Sequence, residues 1–239
     1  MQYAIADIHG CLKELKELLA LIDLREEDTL YVLGDMVDRG PDPIGVLRLL
    51  MGMPNAVPLI GNHEFMMMTV LKRLLVEVTE ENAESYLSAD DLLSYSNWMA
   101  NGGDTTIKAF RRLDREEQAE LLDYLGDCSL FEETEAGGRT YLMVHAGLEP
   151  FDPAKEPEDY ELSELLFKAP DLSEPYYDGR YVVTGHRPTF TYGEGDGILR
   201  QKGHIAIDCG CCFGHKLGCI RLDDGKEYYV NSKTDCVSG

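Results

Sequence analysis

The chain has no apolar run approaching the ~20 residues needed to cross a bilayer, which excludes a membrane-spanning helix. It also has little positive charge. Its 22 Lys and Arg stand against 44 Asp and Glu, a formal net charge of -22, so its surface repels polyanions and nucleic-acid binding is not expected. The first ten residues, interrupted by Asp7 and His9, lack the basic-then-apolar pattern of a secretory leader, and cytoplasmic residence is the expectation. Internal repeats and low-complexity tracts are absent. The seven cysteines, Cys11, Cys128, Cys209, Cys211, Cys212, Cys219 and Cys236, are odd in number and scattered. That argues against a disulfide framework and for reduced thiols. The cluster Cys209-Gly210-Cys211-Cys212 lacks the two paired C-x-x-C elements of a zinc site and reads as packing.

What is present is a chain of 239 residues, enough for one domain with a substantial core. Tyr3-Ala4-Ile5-Ala6 reads as a buried strand ending in Asp7-Ile8-His9-Gly10. The helix after it puts Leu12, Leu15, Leu18, Leu19 and Ile22 on one face and Lys13, Glu14, Lys16 and Glu17 on the other. A second strand, Thr29 to Leu33, runs into Gly34-Asp35-Met36-Val37-Asp38-Arg39-Gly40, and a helix follows around Ile44 to Leu50. A third, about Ala56 to Ile60, stops at Gly61-Asn62-His63-Glu64. Three strand-to-helix junctions thus carry polar clusters where α/β sheets bind ligands. Residues 65–125 read as a helical insertion, with 77–84 as solvated acidic surface and Trp98, Asn101, Gly102 and Gly103 marking a turn near the site. The remainder reads as strands at Thr140 to Val144, Tyr181 to Thr184, His204 to Asp208, Gly218 to Leu222 and Lys226 to Val230. The last two are joined by the hairpin signal Asp223-Asp224-Gly225, and residues 149–179 form a long excursion.

The strand ends supply side chains that suit a dinuclear hydrolase: hard oxygen ligands, imidazoles and a carboxylate able to bridge. They are Asp7, His9, Asp35, Asn62, His145 and His186. Taken singly, each reads as a helix cap or a structural histidine. The flanking Gly10, Gly34, Gly61, Gly147 and Gly185 allow the tight turns that would bring a metal close.

In these segments, Asp7-Ile8-His9-Gly10, Gly34 to Gly40, Gly61 to Glu64, His145-Ala146-Gly147 and Gly185-His186, the chain resembles the calcineurin-like metallophosphoesterases. Within them it is most similar to the phosphoprotein phosphatase family and its bacterial, phage and diadenosine-tetraphosphatase relatives. The resemblance implies a four-layer α/β/β/α sandwich, two mixed sheets flanked by helices. It also implies two divalent metals, manganese first, with iron, zinc or nickel as alternatives. By position, Asp7 and His9 would bind the first metal, Asp35 would bridge, and Asn62, His145 and His186 would hold the second. A metal-bridging hydroxide would attack phosphorus in line. Arg39, with Asn62, would grip the phosphate, His63 would protonate the leaving group, and Asp38 would orient that imidazole.

The chain departs from the family where a second phosphate-binding Arg is common. Arg187 follows His186 in place of Thr, and Leu165-Leu166-Phe167-Lys168-Ala169 lacks the Arg, so Arg187 or Lys168 is the expected substitute. The leading expectation is a phosphomonoesterase of the serine/threonine phosphoprotein phosphatase type, acting on a phosphorylated protein or a small phosphoester. A dinucleoside polyphosphate hydrolase is the alternative. An inactive metal-bound regulatory module is the reading from another class, and the presence of Asp38, Arg39 and His63 argues against it. Oligomeric state is not legible from the residues.

Overall fold

The computed structural model describes residues 1–77, 79 and 86–233. Cys236 and most of the acidic stretch 77–84 lie outside them. The first sheet is built from β1 (Gln2–Ile5), β2 (Thr29–Leu33), β3 (Ala56–Leu59), β9 (Lys216–Arg221) and β10 (Glu227–Asn231), in the order β10-β9-β1-β2-β3. The second holds β4 (Phe131–Ala136), β5 (Arg139–Val144), β6 (Arg180–Thr184), β7 (Leu199–Gln201) and β8 (His204–Ala206), in the order β4-β5-β6-β8-β7. Both sheets are mixed. β1-β2-β3 and β5-β6-β8 run parallel, and β9, β10, β4 and β7 add antiparallel edges.

Strand periodicity explains the layering, because successive side chains point to opposite faces. In β1, Ala4 joins Tyr31, Leu33, Tyr141, Met143, Val183 and Ile205 in a dry core between the two sheets. Tyr3 and Ile5 face the other way, onto the apolar stripes of α1 (Leu12–Ile22) and α2 (Pro43–Met51). The outer face of the second sheet, with Leu142, Val144 and Val182, is covered by the short α7 (Leu162–Leu166) and the 149–179 excursion through Leu165, Tyr160 and Tyr176. The result is the expected α/β/β/α sandwich. Each fully buried Leu of these cores contributes roughly 1.5–3 kcal/mol.

Among the described residues, four helices lie in the segment read as helical: α3 (Asn62–Leu74), α4 (Ala89–Ala100), α5 (Asp104–Phe110) and α6 (Arg115–Gly126). Trp98, Phe110, Leu121 and Leu125 tie them into the first core. No helix among the described residues is long and apolar enough to cross a membrane. Two expectations need correction. The periodicity of α1 puts Glu14 on the face opposite the leucines, yet it is buried, and its Oε1 accepts the Lys233 amide at 2.8 Å. Asp208 was read as the end of a strand, but β8 stops at Ala206 and Asp208 is buried beyond it.

Candidate dinuclear metal site

Each functional side chain lies within four residues of a strand's carboxyl end. Asp7 and His9 follow β1, Asp35 follows β2, Asn62 and His63 open α3 after β3, His145 follows β5, and His186 follows β6. The chain pays for this convergence in backbone strain. Of the eight non-glycine residues with positive φ among those described, six are Asp7, His9, Asp35, Asp38, Arg39 and His186. Left-handed backbone at such residues costs of order 1–3 kcal/mol each and survives only where surrounding structure enforces it.

That enforcement is visible in Glu64 and Gly34. The Glu64 carboxylate accepts the amides of Asp35 (2.8 Å), Met36 (2.7 Å), Val37 (3.1 Å) and Gly61 (2.9 Å), clamping the β2 loop to the start of α3. Burial, with the Asp35 charge adding to it, pushes its pKa up to about 7. Gly34 sits at φ +78, and a Cβ there would lie 2.6 Å from the Gly61 backbone and 2.8 Å from His145 Nδ1. Gly34→Ala is therefore expected to destabilise the fold by about 2 kcal/mol or more. Denaturant unfolding at unchanged m-value would read this directly.

The donor set is preorganised. His9 Nδ1 donates to the Val37 carbonyl (2.8 Å) and His145 Nδ1 to the Leu33 carbonyl (2.7 Å), which leaves each Nε2 as a lone-pair donor facing inward. His9 Nε2 lies 3.5 Å from Asp35 Oδ2, and His145 Nε2 lies 3.5 Å from Asp35 Oδ1. The ligand atoms of His9, Asp35 and His63 fall within 4.8 Å of one another, as do those of Asp35, His145 and His186. Asp35 is common to both groups. Asn62 Oδ1 stands 2.9 Å from both His145 Nε2 and His186 Nδ1. The His145 lone pair and a carbonyl oxygen are both acceptors, and a cation between them resolves that conflict. The residues fit two divalent ions.

Electrostatics agree with that fit. Burial opposes a charge on Asp35, but the imidazoles of His145, His63 and His9 outweigh it and hold the carboxyl well below the usual range. Burial, followed by the charges of Asp208 and Asp35, raises Asp7 well above it. Burial lowers His9, and it lowers His186 to about 4, which favours the neutral ring that can bind a cation. A bound cation would oppose the upward shifts of Asp7 and Asp208 and favour their ionised carboxylates. The Asp7 carboxylate also accepts the His186 amide at 2.9 Å, locking β1 to β6.

Asp38 and His63 form a second unit. Asp38 Oδ2 accepts His63 Nδ1 at 2.7 Å and Trp98 Nε1 at 2.8 Å, and Oδ1 accepts the Thr106 hydroxyl at 2.5 Å. His63 Nε2 is buried without a protein hydrogen-bond partner, 3.9 Å from Asp35 Oδ2. Burial disfavours the imidazolium, but Asp35 and the bonded Asp38 outweigh it and the His63 pKa is raised. Arg39 Nη1 donates to His9 Nε2 at 2.6 Å, its amide bonds the Gly102 carbonyl at 3.0 Å, and its side chain crosses Gly102 where no Cβ fits.

The chain belongs to the calcineurin-like phosphoesterases. That family's model matches residues 3–190, which take in every one of these strand ends. Its members use divalent metals at a dinuclear site, and the chain is a metal-dependent phosphoesterase. Among its relatives, the symmetrical bis(5'-nucleosyl)-tetraphosphatase of Pectobacterium carotovorum subsp. carotovorum is 29% identical over 96% of this chain and 94% of its own. The enzyme of that name from Erwinia tasmaniensis is 28% identical over 98% of both chains. Among solved structures, a protein proposed to be a diadenosine tetraphosphatase superposes with a TM-score of 0.68 at 22% identity, covering 97% of this chain and 93% of that one. A serine/threonine phosphatase from Saccharomyces cerevisiae superposes at 0.57 with 16% identity, covering 100% and 80%.

Arg187 is placed differently from the other expected residues. It is exposed, donates through Nε to Thr191 Oγ1 (3.2 Å) and lies over the Tyr192 ring at 4.4 Å. With Glu149, Asp171, Ser173 and Gln201 it lines an open cavity of about 520 Å³. Lys168 is exposed. Asp208 escaped the sequence reading as a functional residue. Its Oδ1 accepts the Gly210 amide at 2.9 Å, and burial raises its pKa to about 7, helped by Asp35 and opposed by Arg39. The signal that pointed to it is a carboxylate just past a buried strand run, as at Asp7.

Proposed function

We propose that the chain is a symmetrical dinucleoside polyphosphate hydrolase, cleaving a substrate such as diadenosine tetraphosphate into two nucleoside diphosphates. The observation that carries this reading is the end-to-end match with the symmetrical bis(5'-nucleosyl)-tetraphosphatases, 28% identical over 98% of both chains. The protein phosphatase reading draws on a structural likeness at 16% identity, which speaks to the fold alone.

In this reading Asp7, His9, Asp35, Asn62, His145 and His186 hold two divalent cations. Bound there, the ions supply Lewis acidity and lower the pKa of water to near neutrality. The chain's own groups do the rest. Arg39 swings its planar fork from His9 onto the phosphate oxygens and stabilises the charge that builds in the transition state. His63, its imidazolium favoured and held by Asp38, presents Nε2 to the leaving oxygen. In this reading the exposed Arg187 or Lys168 would meet the outlying phosphates of a tetraphosphate.

Parallel assays on the metal-loaded protein decide between the two substrates. Hydrolysis of diadenosine tetraphosphate to ADP alone, with kcat/KM about a hundredfold above that for a phosphoserine peptide, is the expected result. A preference for the peptide of similar size would return the protein phosphatase reading.

A further inference from the structure

The described residues expose only two phenylalanines broadly to solvent, Phe167 (41%) and Phe213 (49%). The other exposed large apolar side chains are aliphatic and lie at the amino terminus, on α1 and around α3 and α4. Both phenylalanines border the metal site. The Arg39 guanidinium stands 5.2 Å from the centre of the Phe213 ring, and Arg39 reaches His9 in the first ligand group. The Phe167 backbone carbonyl faces His186 in the second group. Asp35 is common to the two groups, so Phe213 is tied to one of them through Arg39 and the Phe167 backbone to the other.

Each ring is braced by a second aromatic. Phe190 meets Phe213 edge-on, with centroids 6.1 Å apart, and is itself stacked on His215 at 4.3 Å. Phe65, two residues beyond His63 on α3, meets Phe167 edge-on at 6.1 Å. Edge-to-face bracing fixes a ring's orientation while leaving part of its face open. An exposed aromatic costs solvation free energy, and a flat, sequence-tolerant partner for it is the π-face of a nucleobase.

We propose that Phe213 and Phe167 are two nucleobase platforms, one tied to each ligand group of the dinuclear site, that together seat the two heads of a dinucleoside polyphosphate. The assignment rests on the hydrolase reading above and extends it to the residues that select a two-headed substrate. The phosphate chain then lies across Arg39 and the metal groups, and each base stacks outside them.

Calorimetric titration of the divalent-metal-loaded protein tests this with two probes: inorganic tetraphosphate, and a diadenosine tetraphosphate whose central bridge is methylene and resists cleavage. The wild-type protein should bind the two-headed probe about a hundredfold more tightly, and Phe213→Ala and Phe167→Ala should each cut that ratio about tenfold. Phe→Trp at either position should preserve it. Because both rings are half exposed, the variants should fold, which thermal unfolding checks. An unchanged ratio in either alanine variant, or no preference in the wild-type protein, overturns the assignment. The two readings fail separately. ADP release from the dinucleotide with unchanged ratios removes the platforms alone, whereas a two-headed preference lost in both variants without any ADP release supports the platforms and removes the hydrolase.

Discussion

Replacing Asp35 by Ala should strip the protein of metal and lower its phosphoesterase activity by at least ~10³-fold, more than the 10- to 100-fold typical of losing a residue that merely supports a ligand. The reason is its position. Asp35 is the one carboxylate common to both ligand groups, with Oδ2 toward His9 and Oδ1 toward His145. It also accepts the His63 amide at 3.0 Å, so it fixes the first turn of α3 as well as the charge of the site. Asp35→Asn separates these roles. The amide keeps the shape and can still accept from His63, but it removes the negative charge that three imidazoles surround. Elemental analysis of purified Asp35→Asn should show less than half the wild-type metal at the same folded fraction. Full metal occupancy in that variant would mean that the two ligand groups do not share their cations through Asp35.

Much of this arrangement was legible along the chain because its local rules are strict. A buried parallel strand ends in a turn, the turn needs glycine or left-handed backbone, and the carboxyl end of the sheet is where the polar groups gather. Those constraints leave His9, Asp35 and His186 next to glycines, with Asp7 two residues before His9; His9 and His186 fall in the two ligand groups that share Asp35, whereas Asp7 is in neither and meets the His186 amide instead. The unread features depend on distance. The Trp98–Gly103 turn is legible as lying near the site, but that Trp98 and Thr106, 60 and 68 residues away, complete Asp38 is not, because helix periodicity says nothing about where helices dock. Glu64 looks like a helix-start carboxylate until its four amide partners are seen to come from two loops. Strands β4 and β7 carry Phe-Glu-Glu-Thr-Glu-Ala and Leu-Arg-Gln at sheet edges, where polar side chains mask the period-2 pattern. The burial of Glu14 could not be foreseen for the same reason, since its partner Lys233 lies 219 residues away.

His63→Gln and Asp38→Asn should leave metal content near that of the wild-type protein and lower turnover by roughly 10²- to 10⁴-fold. Neither side chain has to move for this to hold. An Asn at position 38 can keep its oxygen toward His63 and Trp98 and turn its amide nitrogen toward Thr106, so the geometry survives while the charge that favours the imidazolium is lost. The size of the loss should depend on the leaving group. A serine alkoxide departs poorly without a proton, so a phosphoserine peptide should show the full effect, whereas a nucleoside diphosphate is already a stable anion and should lose less. An aryl phosphate series of falling leaving-group pKa, measured on wild-type and His63→Gln protein, turns this into a slope: the variant's rates should fall more steeply as the leaving group becomes more basic. Parallel slopes would show that His63 holds the phosphate or the metal instead of carrying a proton, and the function of the Asp38, Trp98 and Thr106 cluster would then be to fix an imidazole in place.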